Sequence, residues 1–530
     1  MWPVSTSEKK CNVCWRALNR LKVAPLSFNK SEVRFVDTDE MEVTVEEVYA
    51  VDPKTIFQAI FIFFWVVYLW ESYLSFRQRQ VYRNTKQVPA PLRDTLDHET
   101  FEKARVYQLD KSSFGFWHGV FSQLESSAIL LFGGIPYMWG VAGNVLGYFS
   151  YGPEYQIVQS LAFLLLASVY GTFVGLPWTL YSTFVLEEKH GFNKQTVGFF
   201  VKDQIKMFLV SQALMAPITA GLLYIIQMGG QYFFIYAWAF AFAVSLIMIT
   251  IYADYIAPLF DKFTPLPEGE LRTKIEELAQ SISFPLYKLY VVEGSKRSSH
   301  SNAYFYGFFK SKRIVLFDTL LEDYTPVNKE EDKAKEAEAS PTSEEPDQPK
   351  ESQKPEEEVK KPDEAGEPAK EDEKKKKKTG CNNKEVLAVL AHELGHWKLS
   401  HNLKNLVISQ VNLFLCLFLF GLLIEKKELF EAFGFYASQP TLIGLVIIFQ
   451  FVFSPYNEVL SFCMTVLCRR FEFQADAFAK SLRRATELRS ALIKLHKDNL
   501  GFPEADWLYS TWHYSHPPLL ERLGALEKTE

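Results

Sequence analysis

The chain holds only six cysteines in 530 residues (Cys11, Cys14, Cys381, Cys416, Cys463 and Cys468), and their spacing offers no disulfide framework. Three lie in or beside apolar segments, where cysteine behaves as a small hydrophobe. The N-terminal CNVC is a single CxxC without a partner pair. Charge of one sign is also lacking: 57 basic against 63 acidic residues leave a net charge of −6, which excludes nucleic acid as the main partner. The first 50 residues contain no apolar h-region, so no cleaved signal peptide is expected. Apolar residues almost vanish between about Val327 and Lys378, a tract of Lys, Glu and Pro. Such a segment buries too little surface to offset its ordering entropy and reads as a disordered, solvated insertion. Its five lysines at 374–378 could also touch anionic headgroups.

Elsewhere the chain is rich in what that tract lacks. Hydrophobic residues make up 48% and aromatic residues 15%, with 45 phenylalanines. Seven stretches approach the roughly 20 apolar residues that cross a bilayer: 55–74, 119–147, 157–183, 205–228, 231–254, 403–424 and 438–456. The first and sixth are the cleanest, and the second is interrupted by Gly and Pro. One such stretch could be a buried helix of a soluble core; seven in one chain point to a membrane. Arg77, Arg79, Arg83, Lys86 and Arg93 follow the first span, and Glu46, Glu47 and Asp52 precede it. That bias places the first loop in the cytosol and the N-terminus on the other side. Residues 255–402 and the segment from 457 then share the cytosolic face, although the loop after the sixth span is ambiguous, with Lys426 and Lys427 beside Glu425 and Glu428.

The first of those polar regions has its own pattern. Residues 270–282 form an amphipathic helix, and 287–293, 301–308 and 313–321 read as strands of a small antiparallel meander. The resulting organisation is an N-terminal extension (1–54), spans one to five (55–254), a helix and meander (255–326), the charged insertion (327–380), an HExxH helix (381–402), spans six and seven (403–456) and a C-terminal catalytic segment (457–530).

The chemistry is concentrated in EVLAVLAHELGHW. His392 and His396 are four residues apart, so on a helix they share a face and can reach one zinc ion. Glu393 points beside that metal, where it can take a proton from water. The bland alternative is a pair of core histidines beside an exposed Glu. A catalytic zinc needs a third protein ligand, and RRFEFQADAFA offers Glu472, with Asp476 one turn on to orient a ligand histidine. The competing reading has Glu472 ion-paired to Arg469 and Arg470. Glu385, His401 and Glu458 are weaker ligand alternatives. In WHYSHPPLLERL, His516 could donate to an oxyanion and Arg522 could hold a carboxylate, against helix capping and a surface ion pair.

LAHELGHW, RRFEFQADAFA, SHPPLLERL and SSHSNAYFYGFFKSKRIVLFDTLL together resemble the integral-membrane zinc CAAX prenyl proteases of type 1, over roughly 55–325 and 381–527. The resemblance implies a membrane α-helical fold of seven transmembrane helices around a large water-filled chamber, with a gluzincin-like catalytic domain on the cytosolic side. It implies one zinc ion per chain held by His392, His396 and Glu472, Glu393 as general base and Asp476 supporting a ligand. Asn302 and its strand would line the substrate cleft, with His516 and Arg522 beside the metal. The implied partners are the lipid bilayer and prenylated, farnesylated CAAX C-termini, from which the last three residues are cleaved, with a second cut upstream in some cases. The implied location is the endoplasmic reticulum membrane and the inner nuclear membrane. Three rival classes fit less well. A site-2 type intramembrane protease would place an Asp ligand in a distant span, a transporter would carry charges inside several spans, and a catalytically dead scaffold has no need of Glu393.

Overall fold

A computed structural model describes residues 51–307, 312–322, 324 and 379–528. The expectations for residues 1–50, for CNVC and for the charged tract lie outside the described residues. Helix α1 spans Pro53–Asn84; Asp52 caps it, accepting from Thr55 N at 3.2 Å. It is followed by α2 (His98–Leu131), α3 (Gly134–Gly147), α4 (Gln156–Tyr181, continued by a π-helical turn to Glu187), α5 (Val197–Met228) and α6 (Phe233–Ile251). Among the described residues, five helices are long and apolar enough to cross a membrane unbroken: 53–84, 156–187, 197–228, 230–251 and 401–423. The second and seventh expected spans are bent pairs, α2 with α3 at 67° and the segment 441–452 with 454–481 at 59°. Counting each pair once gives seven. The first bend sits at Gly133, whose φ of +67° is open to glycine at little cost, with Pro136 in the turn that follows. At about 1.5 Å per residue, the 32 residues of α1 run some 48 Å, well beyond the ~30 Å of hydrocarbon. About 18 Å of it, roughly its last 12 residues, therefore extends beyond that thickness, and Arg77 in this stretch meets the C-terminal segment.

The polar region begins with α7 (Ala257–Phe260) and β1 (Phe263–Pro265), then α8 (Glu270–Ser281), β2 (Leu286–Val292), β3 (Ala303–Tyr306) and β4 (Lys312–Phe317). The sheet order is β1-β2-β4-β3. The expected antiparallel meander is thus corrected to a mixed sheet. β3 pairs antiparallel with β4, but β4 lies parallel to β2, with Leu289 opposite Ile314 and Val291 opposite Leu316. The reason lies in the link from β2 to β3. Arg297, in that link, donates to Asp261 at 2.7 Å, to Asp203 at 3.0 Å and to the Phe260 carbonyl at 2.8 Å. The anchored link is long enough for β4 to enter between the two strands, and β3 is left at the edge. β1 pairs antiparallel with β2 and was not anticipated.

The remaining helices are α9 (Asn383–Lys398), α10 (His401–Leu423), α11 (Lys427–Ala432), α12 (Thr441–Val446, continued by a π-helical turn to Val452), α13 (Ser454–Ser481), α14 (Ala485–Asp498), α15 (Trp507–His513) and α16 (Leu519–Glu527). Helix α9 is the centre of the polar half. A capping box starts it: Asn382 Oδ1 accepts from Lys384 N and Glu385 N, and Glu385 Oε2 accepts from Asn382 N at 2.9 Å. Val386 through Ala391 are all buried, in one core with α8, the sheet and α14. Burial of each such Val or Leu side chain contributes about 1.5–3 kcal/mol. A second apolar core lies among the membrane helices, around Trp139, Phe233, Phe420 and Ile443. The C-terminal segment is tied to α1 by Asp506, which accepts from Arg77 Nε at 3.0 Å and Nη2 at 2.8 Å, and by Glu71, which accepts from Trp512 at 2.9 Å.

Candidate metal centre

Two helices cross at the site. α9 carries His392, Glu393 and His396, and α13 carries Glu472 and Asp476. They approach closely at Gly395, where a Cβ would stand 3.1 Å from the Phe478 ring and 3.2 Å from the Ala475 Cα. Across that contact the donor atoms of His392, His396 and Glu472 all fall within 4.8 Å of one another. His392 Nε2 lies 3.2 Å from His396 Nε2 and 3.4 Å from Glu472 Oε2, and His396 Nε2 lies 3.3 Å from Glu472 Oε1. Ligand bonds of about 2.0–2.1 Å in a tetrahedron imply edges of about 3.3–3.4 Å, so the donors are spaced for a small first-row cation.

Proton placement supports the same conclusion. His392 Nδ1 donates to Asp476 Oδ1 at 2.8 Å, which leaves the lone pair of Nε2 facing the cluster. Asp476, 2% exposed, also accepts from Arg522 Nε at 2.9 Å and Nη2 at 2.7 Å. Glu472 Oε2 is buried without a hydrogen-bond donor; His516 Nδ1 is 2.9 Å away but not aligned to donate. A lone pair and a carboxylate left facing each other without a donor need a cation between them. Burial alone would push the His392 pKa down, yet the Asp476 and Glu472 carboxylates raise it to about 9. Those carboxylates favour positive charge at this point, and a metal ion would displace the proton from Nε2 as it binds. Burial pushes the Glu393 carboxyl up, against smaller opposing effects of His392 and His396.

Residues 265–530 match peptidase family M48, and residues 78–262 match the family described as CAAX prenyl protease N-terminal, five membrane helices. The chain belongs to peptidase family M48. It is 64% identical over 474 residues to the human CAAX prenyl protease 1 homolog, an alignment covering 89% of this chain and 96% of that protein. It is 36% identical over 475 residues to CAAX prenyl protease 1 of Saccharomyces cerevisiae, covering 86% and 92%. The crystal structure of S. mikatae Ste24p superposes with a TM-score of 0.73 at 36% identity, covering 90% of this chain and 99% of that one. As an M48 member with membrane-spanning helices, the chain is a membrane metallopeptidase, and the donor set at the crossing fits the metal that membership implies.

The structure thus brings together His392, His396, Glu472, Asp476, Arg522 and His516. Arg522 is buried, against the alternative of a surface ion pair; the carboxylate it holds is that of Asp476, and its Nη2 also lies 3.3 Å from His392 Nδ1. Arg469 is not the partner of Glu472 either, since it pairs with Glu521 at 2.7 Å. Two of the weaker ligand alternatives fall away. Glu385 serves the capping box and Lys494 at 2.8 Å, and Glu458 is half-buried toward Glu71 and His513. Asn302 is exposed at the start of β3, and its side-chain oxygen accepts from the adjacent Ala303 N at 2.8 Å; no hydrogen bond joins it to the cluster. The residue whose place was misjudged is His401. It is no ligand, but its Nδ1 lies 3.0 Å from His396 Nδ1. Being five residues from His396, it would point away on a continuous helix. Ser400, with φ of +58°, breaks the helix and folds His401 back.

Proposed function

We propose that this protein is a zinc endopeptidase that removes the C-terminal three residues of prenylated CAAX proteins, with a second upstream cleavage on some substrates. The convergence of His392, His396 and Glu472 at the α9–α13 crossing carries the reading, since two imidazoles and one carboxylate are a catalytic zinc set that leaves a position open. When bound, zinc supplies Lewis acidity, making water a nucleophile at neutral pH and polarising the scissile carbonyl. Glu393 takes the proton from the attacking water and returns it to the leaving amine; its raised pKa brings it closer to the pH at which a general base works best. His516, exposed at the rim, donates to the oxyanion. Asp476, held by Arg522, keeps His392 in its ligating tautomer. β3 is an edge strand packed against α9, and an extended substrate adds beside it, with Asn302 offering an amide to the peptide backbone.

The naming of the relatives as CAAX prenyl proteases supports the substrate class. A prenylated terminus stays near the bilayer, so its protease must lie there too. A chamber within the ring of helices lets polar peptide reach the metal at membrane depth, and the catalytic segments face the cytosol at the endoplasmic reticulum and inner nuclear membranes. The test is zinc analysis of the purified protein together with cleavage of a farnesylated CAAX peptide, with chelator and after zinc is restored. About one zinc per chain and chelator-sensitive loss of the last three residues are expected. A fully metallated protein that leaves the peptide intact overturns the substrate assignment.

A further inference from the structure

His392 has a carboxylate behind it; His396 has another histidine. The His401 ring is 1% exposed and stacks on Phe471 with centroids 4.1 Å apart and planes 7° from parallel. Its Nε2 lies 3.0 Å from Gln474 Oε1 and its Nδ1 3.0 Å from His396 Nδ1. Gln474 presents an oxygen, which can only accept, so His401 Nε2 carries the hydrogen. In a neutral ring Nδ1 is then a lone pair, and it can only accept from His396 Nδ1–H. The lone pair of His396 is thereby left on Nε2, facing His392 and Glu472. The opposite polarity, with hydrogens running from Gln474 toward the cluster, would put a proton on His396 Nε2 where the cation belongs.

We infer that His401 and Gln474 form a positioning relay that fixes the tautomer and orientation of His396, a role that His392 receives from Asp476 and Arg522. This deepens the zinc-site reading above and rests on it. The α13 helix then serves the metal on two adjacent faces: Glu472 and Asp476 on one, Phe471 and Gln474 beside it. His401 is also the first residue of the membrane helix α10, so the orientation of one ligand is set by the seat of a span.

The test is equilibrium competition for zinc between a chelator of known affinity and the full-length detergent-solubilised protein. His401→Phe keeps the stack on Phe471 and removes both nitrogens; its zinc affinity is expected to fall about 10- to 100-fold. Gln474→Glu presents carboxylate oxygens to the same His401 Nε2–H, strengthens the relay and is expected to bind zinc more tightly than wild type. Gln474→Leu is expected to weaken it. A role confined to packing predicts that all three alter thermal stability alone. Wild-type affinity in His401→Phe, or an order of affinity among the Gln474 variants opposite to that expected, overturns the relay. A wild-type protein that takes up no zinc overturns the zinc site itself, which separates the two failures.

Discussion

Asp476 joins two jobs that one substitution can pull apart. Asp476→Ala removes the acceptor of three hydrogen bonds at once, from His392 Nδ1 and from two nitrogens of Arg522. The Arg522 guanidinium stays behind, its side chain 11% exposed, with only the longer 3.7 Å contact to Glu472 left as a counter-charge. Breaking a buried pair from one side costs about 3–5 kcal/mol of fold stability. Separately, His392 loses the partner that fixes its tautomer, and zinc affinity should fall about 10- to 100-fold, equal to about 1.4–2.7 kcal/mol. The two costs are measured apart. Unfolding in excess chelator reports the first, because bound metal adds its own concentration-dependent stability to a folded protein. Zinc competition reports the second. Asp476→Leu combined with Arg522→Met removes both charges and should recover most of the metal-free stability, since apolar replacement of a buried pair is often neutral or better. It should not recover zinc affinity. If the double variant regains both, or if Asp476→Ala binds zinc as wild type does, Asp476 is not a tautomer-setting partner.

Glu393→Gln should keep zinc and lose about 10²–10⁴ in rate; turnover at wild-type rate in a single-turnover assay would remove Glu393 as the base. Gly395→Ala places a methyl 3.1–3.2 Å from Phe478 and Ala475, and overpacking of that kind costs about 1–3 kcal/mol, read by thermal unfolding. Because the same contact sets the spacing of the donors, zinc retention should weaken in step. His516→Ala changes an exposed ring, 71% accessible, so melting temperature and zinc content should hold while kcat drops by about 10²–10³; a full kcat would exclude an oxyanion role. Deletion of 330–376 with a short Gly/Ser join should leave fold and zinc intact. The chain on either side is already pinned: Cys381 N donates to the Leu320 carbonyl at 2.7 Å, Glu322 N to the Cys381 carbonyl at 3.2 Å, and Gly380 N to Asp498 at 2.9 Å. Loss of zinc from the deletion variant would show that the tract belongs to the fold.

The parts of this site that could be read from the sequence are those with a local period. His392 with His396, and Glu472 with Asp476, are each one helical turn apart, so each pair declares a shared face without any knowledge of the fold. Their apolar surroundings declare burial. What could not be read depends on geometry between distant segments or on a single backbone turn. Arg522 reaches Asp476 across 46 residues, and nothing near SHPPLLERL distinguishes a buried guanidinium from a surface one. The insertion of β4 between β2 and β3 goes with a link anchored by Arg297 to Asp203 and Asp261, three residues scattered over two regions. The spans were legible as apolar length, but hydropathy does not say whether a helix goes straight through or bends at Gly133 or Phe453.

His401 shows most clearly how one dihedral changes a function. Five residues after His396 it would stand about 140° round a continuous helix and be of no use to the metal. The left-handed turn at Ser400 ends α9, starts α10 and returns the ring to the ligand it would otherwise face away from. A non-glycine residue in that conformation carries a cost of order 1–3 kcal/mol and persists where its surroundings over-determine it. Here the surroundings are a stack on Phe471, a bond to Gln474 and the start of a 23-residue membrane helix. Between the catalytic helix and that span only Leu399 and Ser400 intervene, too few to let one move without the other. The candidate ligands are therefore held by the seating of a membrane helix as well as by the apolar core around α9, which gives a physical reason why a peptidase of this build keeps its HExxH helix joined to a span.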